Sequence, residues 1–359
     1  MDTVQLLISV PERLTPENSP FKAFSRNLKN IPQSQLNGND YSREYGLYFP
    51  TVKYQERPVY GGISHDLRIE FSAPKLIFNG DNLRELTASD YEKVVKTLYE
   101  RLLQMGFSWI TYPDIVNASV NRLDVCKNIV FEKECDITSI ARILKLGNMG
   151  GMYKPIDKSY SGGGKGFGFG IDHETVTFYD KGAEMRHCGQ VSQFSKIPVL
   201  RLEVKMGTPS MLKKRLKESR IEVKEPLTLA DVFKEDIWKT LLISRFSIWY
   251  DTIPKINIDA NLTQVYLNIA RSEAGKRGGY TRAIERFAWY VMATSSGLNG
   301  AELDNLIESL WGKSYKYRIR KIRDAPLQEF QLKLLLKLKK DLEEFKLLDE
   351  ADVKRLKGG

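Results

Sequence analysis

The hydrophobic period changes once along the chain, and that change constrains the fold more than any other feature. Up to about residue 208, short runs alternate apolar and polar residues with the two-residue period of half-buried strands, interrupted by helical stretches. Beyond about 210 the alternation fades. Apolar residues then recur at helical spacing over 210–219, 228–248, 261–271, 280–295, 300–311 and a lysine-rich segment, 326–356. The expectation is an α+β domain over 1–208, followed by a mainly helical domain over 209–359. No internal repeat is present.

Within the first part, one strand is predicted over about 3–9, then mostly loop, with YGLYF as a second strand. HDLRIEFSAPKLIF reads as a strand ended by Pro74. ASDYEKVVKTLYERLLQMG reads as a helix with Ser89 as N-cap and Gly106 as its stop. VNRLDVCKNIVFE is a strand and DITSIARILKLG a helix. A glycine-rich loop over 162–170 runs into an alternating strand that ends near Tyr179, and IPVLRLEVKM is a further strand.

Charge points toward a polyanionic partner. Lys and Arg number 55 against 45 Asp and Glu, a net charge of +10 with pI near 9.2. No stretch approaches the ~20 apolar residues that cross a bilayer, so no membrane partner is expected. MDTVQLLISVPERL carries an acid where a signal peptide has a basic region. Cys126, Cys135 and Cys188 show neither disulfide nor zinc spacing, and a reducing cytoplasm is the expected location.

A triplet of arginine, aliphatic residue and acid occurs three times in strand-like context: Arg68-Ile69-Glu70, Arg122-Leu123-Asp124 and Arg201-Leu202-Glu203. On a strand each arginine shares a face with its acid. If the strands are neighbours, three carboxylates suited to Mg²⁺ or Mn²⁺ meet three guanidiniums suited to phosphate. The plain alternative is an exposed face of cross-strand ion pairs.

Thr177-Phe178-Tyr179-Asp180-Lys181 closes the strand after the glycine loop. A phenol with a pKa near 10 needs help to act as a nucleophile. Lys181, two residues along the strand, or a nearby metal would stabilise the phenolate or the attacked phosphate. The loop around Lys165 is no nucleotide-binding P-loop, because Gly166 stands where Ser or Thr is required. Its interleaved Phe, Gly and Lys suit a single strand of DNA stacking on the rings. His65, His173 and His187 form no His-x-His pair. In the helical part, YTRAIERFAWYVMA and AELDNLIESLW suggest two helices joined by a turn. KSYKYRIRKIRDAP, with Lys316, Arg318 and Arg320, then supplies a basic stretch for duplex phosphates. The amphipathic tail packs on its own domain or serves self-association.

The run from Arg68 through Met206 resembles the replication initiators of filamentous phages, the gene II proteins, and their plasmid relatives. The resembling pieces, in order, are Glu70, Ser72, Pro74 and Lys75 in IEFSAPK; Arg122 and Asp124 in VNRLDV; His173, Thr175, Tyr179, Lys181 and Glu184 in HETVTFYDKGAE; and Arg201 and Glu203 in LRLEV. The resemblance implies a site-specific nickase that cuts one strand of a circular replicon's origin. Such an enzyme stays joined to the 5′ phosphate through a tyrosine, leaves a 3′-OH primer and later rejoins the strand. It further implies Tyr179 as nucleophile with Lys181 beside it, and a divalent ion, Mg or Mn, on Glu70, Asp124 and Glu203. The candidate DNA contacts are Arg68, Arg122, Arg201, Lys75 and Lys165, host helicase and polymerase are the expected further partners, and the tail helix leaves a homo-oligomer as a further expectation. The implied fold is related to the HUH endonucleases, an antiparallel sheet flanked by helices, here without the His pair that names them. The rival readings are a relaxase or transposase of related chemistry and a non-catalytic DNA-binding repressor.

Overall fold

A computed structural model of the protein describes residues 1–10, 14, 19–21, 25–26, 32–60, 62–131, 137–145, 147–159, 165–188, 198–222, 224–253, 269–295, 305, 308–309, 312, 329–348 and 352. The fold is mixed α+β with extensive antiparallel sheet. The chain forms two compact units, each made of separate segments. Unit 1 comprises Met1–Asn128, Glu203–Leu242 and Lys346–Gly359; unit 2 comprises Ile129–Leu202 and Ile243–Phe345. Among the described residues no helix is long and apolar enough to cross a membrane.

The sheet of unit 1 has the order β2 (Ser25–Arg26), β3 (Pro32–Leu36), β4 (Thr51–Val59), β5 (Gly62–Ser72), β1 (Thr3–Val10), β6 (Ser119–Val130, in this unit through Asn128) and β10 (Val199–Met206, in this unit from Glu203). Strand β1 shows why: Val4, Leu6, Ile8 and Val10 are buried on one face, and Thr3, Gln5, Leu7 and Ser9 alternate on the other. Helix α3 (Tyr91–Gln104) buries Val94, Val95, Leu98 and Leu102 along one stripe. Its N-terminal turn is tied by Thr87, whose hydroxyl and backbone N–H both reach Asp90, rather than by Ser89. Gly106, at φ 94°, follows its end in the left-handed conformation that glycine favours. The unit also contains α1 (Gly38–Tyr45), α2 (Ala73–Ile77), α4 (Tyr112–Asn117), α7 (Pro209–Glu218) and α8 (Leu229–Val232).

Unit 2 carries β7 (Lys154–Ser159), β8 (Lys165–Ile171) and β9 (Glu174–Asp180), an antiparallel meander, with α5 (Ile137–Lys145) and α6 (Lys181–His187). Helices α10 (Gly279–Ser295) and α11 (Glu329–Glu344) also belong to it, and α9 (Glu235–Tyr250) contributes its second half. Its core centres on Trp249, whose ring meets Phe167, Phe169 and Phe178 at 4.9, 5.4 and 4.3 Å between centroids. The indole N–H donates to the Leu144 carbonyl at 3.0 Å.

Several expectations are corrected. YGLYF forms no strand: GNDYSREY is α1, capped by Asn37, and Gly46 ends it at φ 66°. The alternation that makes a strand begins at Thr51, and it went unread because β4 turns polar and reaches Pro58 after three buried positions. The segment 228–248 is two helices, since a capping box between Thr228 and Asp231 starts a short α8 that breaks at Phe233. The tail helix ends at Glu344, with Phe345 at φ 52°, instead of running to 356. Most of 261–271 and 300–311, and all of 313–328, lie outside the described residues.

The glycine-rich stretch is the largest correction. Residues 165–171 are strand β8, hydrogen-bonded on both sides, with Phe167 and Phe169 buried against Trp249. Those two rings are therefore core residues, not a stacking platform for bases. The glycines are there for close packing: a Cβ on Gly168 would stand 2.2 Å from the Val176 carbonyl oxygen and 2.8 Å from the Thr177 Cα. Backbone atoms cannot step aside as a flexible side chain would. Gly168→Ala should destabilise unit 2 by about 1–3 kcal/mol. Equal urea midpoints for variant and wild type would refute this close approach.

Candidate functional site

The acids read from three separate motifs converge on one face of the unit 1 sheet. Glu70 sits on β5, Asp124 on β6 and Glu203 on β10, with β1 lying between β5 and β6. A register shift near Gln5 and Leu6 of β1 sets Gln5 opposite Arg122 and Leu6 opposite Val120, leaving Asn121 as the extra residue of β6. Gln5 is the polar residue in the otherwise apolar centre of β1, and it spans the gap. Its Nε2 donates to Glu70 Oε2 at 3.0 Å, while its Oε1 accepts from Asn121 Nδ2.

Arg122 is the hub. Its Nε and Nη2 donate to the two oxygens of Asp124 at 3.0 and 2.6 Å, a bidentate fork, and its Nη1 donates to Glu70 Oε2 at 3.3 Å. Lys205 closes the far side, 2.9 Å from Glu203 Oε1 and 3.9 Å from Asp124 Oδ2. Three carboxylates thus face two cations along one continuous network. The Asp124 side chain is 1% exposed and that of Glu70 is 40% exposed, so the network runs from the buried interior of the sheet face to solvent.

Burial dominates at Asp124 and pushes its carboxyl up to about 6, against the pull of Arg122 and Lys205. The hydrogen bonds to Asp124 hold Arg122 above its ordinary value. Burial lowers Lys205, but the Glu203 and Asp124 carboxylates outweigh it and hold the ammonium above the usual lysine range. Because the folded protein holds the Asp124 proton more tightly than the unfolded chain does, this group's contribution to stability falls as pH rises from about 4 to about 6. Its size is on the order of 3 kcal/mol. Asp124→Asn should flatten the stability profile across that window by this amount, read by urea unfolding at pH 4, 5, 6 and 7. Parallel profiles for variant and wild type would show that Asp124 does not titrate there.

Among the described residues, no group of three or more acidic, histidine or cysteine side chains is set as a ready metal cage. The chemistry of the donor set nevertheless suits a hard cation. Asp124 and Glu203 both address the Lys205 ammonium, so a positive charge already stands where two buried carboxylates can share it. Lys205 is one-third exposed, which leaves it room to yield that position.

In unit 2, Tyr179 is the penultimate residue of β9, directly opposite Gly166 of β8. Directly opposed residues share a face, so the glycine leaves no side chain beside the phenol across that pair. Tyr179 is 5% exposed. Lys181 does not continue the strand: Asp180 caps α6, accepting from the Ala183 N–H at 2.9 Å, and Lys181 is the helix's first residue. Its ammonium donates to Glu184 at 2.5 Å and is 1% exposed. Strand alternation therefore does not place Lys181 beside the phenol, as the sequence expectation had it. Arg201 is fully buried in β10.

Of the other expected contacts, Arg68 is half-buried opposite Leu7 and Lys53, with its Nε enclosed and without a hydrogen-bond partner. Lys75 lies on α2. The Lys165 side chain, Lys316, Arg318 and Arg320 lie outside the described residues. Sequence reasoning missed Gln5, Asn121 and Lys205. The signal for Lys205 was present, because Arg201, Glu203 and Lys205 continue one alternation on a strand. No protein-family model matches the chain, and no curated protein is significantly similar to it.

Proposed function

We propose that the protein is a rolling-circle replication initiator of a phage or plasmid, an origin-nicking and joining enzyme that works through a tyrosine. The observation that carries this reading is the network itself. Glu70, Arg122, Asp124 and Glu203 come from three of the four sequence motifs that resemble such initiators, and residues up to 133 positions apart meet in one chain of contacts. The fourth motif supplies Tyr179.

In the proposed reaction the Tyr179 Oη attacks the scissile phosphorus in line. The Oη–P bond forms as the P–O3′ bond breaks; the phenol gives up its proton and the departing O3′ takes one, leaving a 3′-OH primer and a 5′-phosphotyrosine. The reverse transesterification rejoins the strand. A divalent ion, Mg or Mn, would be held by Asp124 and Glu203 in place of the Lys205 ammonium and would supply Lewis-acid polarisation of phosphate, while Glu70 joins this pair only through Arg122. Arg122 orients Asp124 through its fork and keeps the buried carboxylate in place. Host helicase and polymerase are the further partners this reading requires.

The second reading is a non-catalytic DNA-binding repressor. The burial of Tyr179, Lys181 and Arg201, together with the pairing of every acid in the network, favours it. Incubation with labelled single-stranded oligonucleotides from the protein's own replicon, with Mg²⁺ or Mn²⁺ and again with EDTA, separates the two. A metal-dependent adduct that maps to Tyr179 supports the initiator. Tight duplex binding with no adduct supports the repressor.

A further inference from the structure

Helix α7 of unit 1 ends in a turn that its sequence does not favour. Ile221 N–H donates to the Leu216 carbonyl and Arg220 N–H to the Lys217 carbonyl, both at 2.9 Å, which closes the helix around Arg220 at φ 59°. This left-handed position is one that glycine ordinarily fills, because a Cβ is strained there. An arginine in it invites a functional explanation.

Its surroundings supply one. Arg220, Lys213, Lys217, Ile221, Glu222 and Glu225 line a cleft of about 360 Å³. Lys213 is held by Glu225 at 2.7 Å. Lys217 and Arg220 are exposed, and neither has an acidic partner among the described residues. The negative end of the helix dipole accounts for lysines in the last turn, but not for an arginine at a glycine position beyond it. Two unpaired cations, Lys217 and Arg220, therefore line the cleft and leave it able to receive an anion.

We propose that this cleft binds the phosphodiester backbone of DNA, with Lys217 and Arg220 each engaging a phosphate. The inference rests on the reading of the protein as DNA-binding and adds a contact surface that the sheet network and the basic stretch do not include. The presence of Glu222 and Glu225 in the same cleft favours a ligand with one charge per phosphate over a free polyphosphate.

The test is fluorescence anisotropy of a labelled duplex with the full-length protein across a series of salt concentrations. Arg220→Gly should weaken duplex binding about three- to ten-fold and lower the slope of log K against log salt by about one. The same variant should raise Tm by a few degrees, since glycine suits the turn better. That pairing of higher stability with lower affinity is one a purely structural arginine would not give. Lys217→Gln should weaken binding similarly without the gain in Tm. Adduct formation at Tyr179 on a short single strand should be unchanged in both variants. Unchanged affinity and salt slope in both variants, with duplex binding intact in the wild type, would overturn the cleft alone. A wild type with no affinity for any duplex would overturn the DNA-binding reading with it. Displacement of the duplex by ATP or tripolyphosphate at concentrations where equal added phosphate as unlabelled duplex does not compete would assign the cleft to a free polyphosphate instead.

Discussion

Tyr179→Phe is expected to reduce covalent capture of a single-stranded origin oligonucleotide by at least about 10³-fold, because phenylalanine has no oxygen to attack the phosphorus. The change is a clean one for this position. The ring is 5% exposed and faces Gly166 across the hairpin, so Phe keeps the packing and removes only the oxygen. The stability cost should stay near 0.5–1.5 kcal/mol, the net worth of one hydrogen-bonding group. Duplex affinity should stay within about two-fold, since a phenol adds no charge for counterion release. The measurement pairs a denaturing gel for the adduct with anisotropy for binding. Equal loss of both would mean that Tyr179 supports the fold and not the chemistry. An adduct of undiminished yield would move the nucleophile to another residue.

The second large effect concerns stability. Glu85→Ala should cost unit 1 about 3–5 kcal/mol, the usual result of removing one member of a buried ion pair. Glu85 Oε2 accepts from Lys127 Nζ at 2.5 Å and from the Leu348 N–H at 3.0 Å, and its Oε1 accepts from the Asn128 N–H at 2.6 Å. Its own N–H donates to the Leu348 carbonyl at 3.1 Å. One carboxylate thus satisfies a buried ammonium and two backbone donors, and it fastens the segment after α11 to β6. Alanine strips the ammonium of its carboxylate and both amides of their acceptor. Domains of ordinary stability have only about 5–15 kcal/mol to lose, so the midpoint in urea should drop sharply. The double variant Glu85→Met with Lys127→Met should recover part of the loss, because it removes the stranded charge. The two amides would still lack their acceptor. A loss below about 1 kcal/mol for Glu85→Ala would show that the pair is not buried in solution.

Neither effect was equally visible in the sequence. Tyr179 stands in a short alternating run whose strand character is legible, and the triplets at 68, 122 and 201 announced a charged strand face. Glu85 announced nothing, since its partners lie 42 and 263 positions away. The elements that were read correctly, β1, β5, β6, β9, β10, α3, α5, α7 and α10, each carry a full local pattern of alternation or helical spacing. Those that were missed do not. Strand β7 reads Lys-Pro-Ile-Asp-Lys-Ser, whose polar residues suit the edge of a sheet but mimic a loop. Strand β8 hides behind its glycines, of which Gly168 is required by the nearness of the Val176 carbonyl and not by local propensity.

By itself, the sequence determined the α+β character, the alternation that sets Arg122 with Asp124 on one face, and the placement of Tyr179 at the end of a strand. These follow from the periods of the two regular structures, which act over a few residues. The tertiary structure alone decided that β1 lies between β5 and β6, so that Gln5 must carry the network across. It decided too that Lys205 serves both Glu203 and Asp124, and that Phe167 and Phe169 belong to the core around Trp249. Strand order and register depend on pairing between segments far apart in the chain, and no local period records which partner a strand will choose.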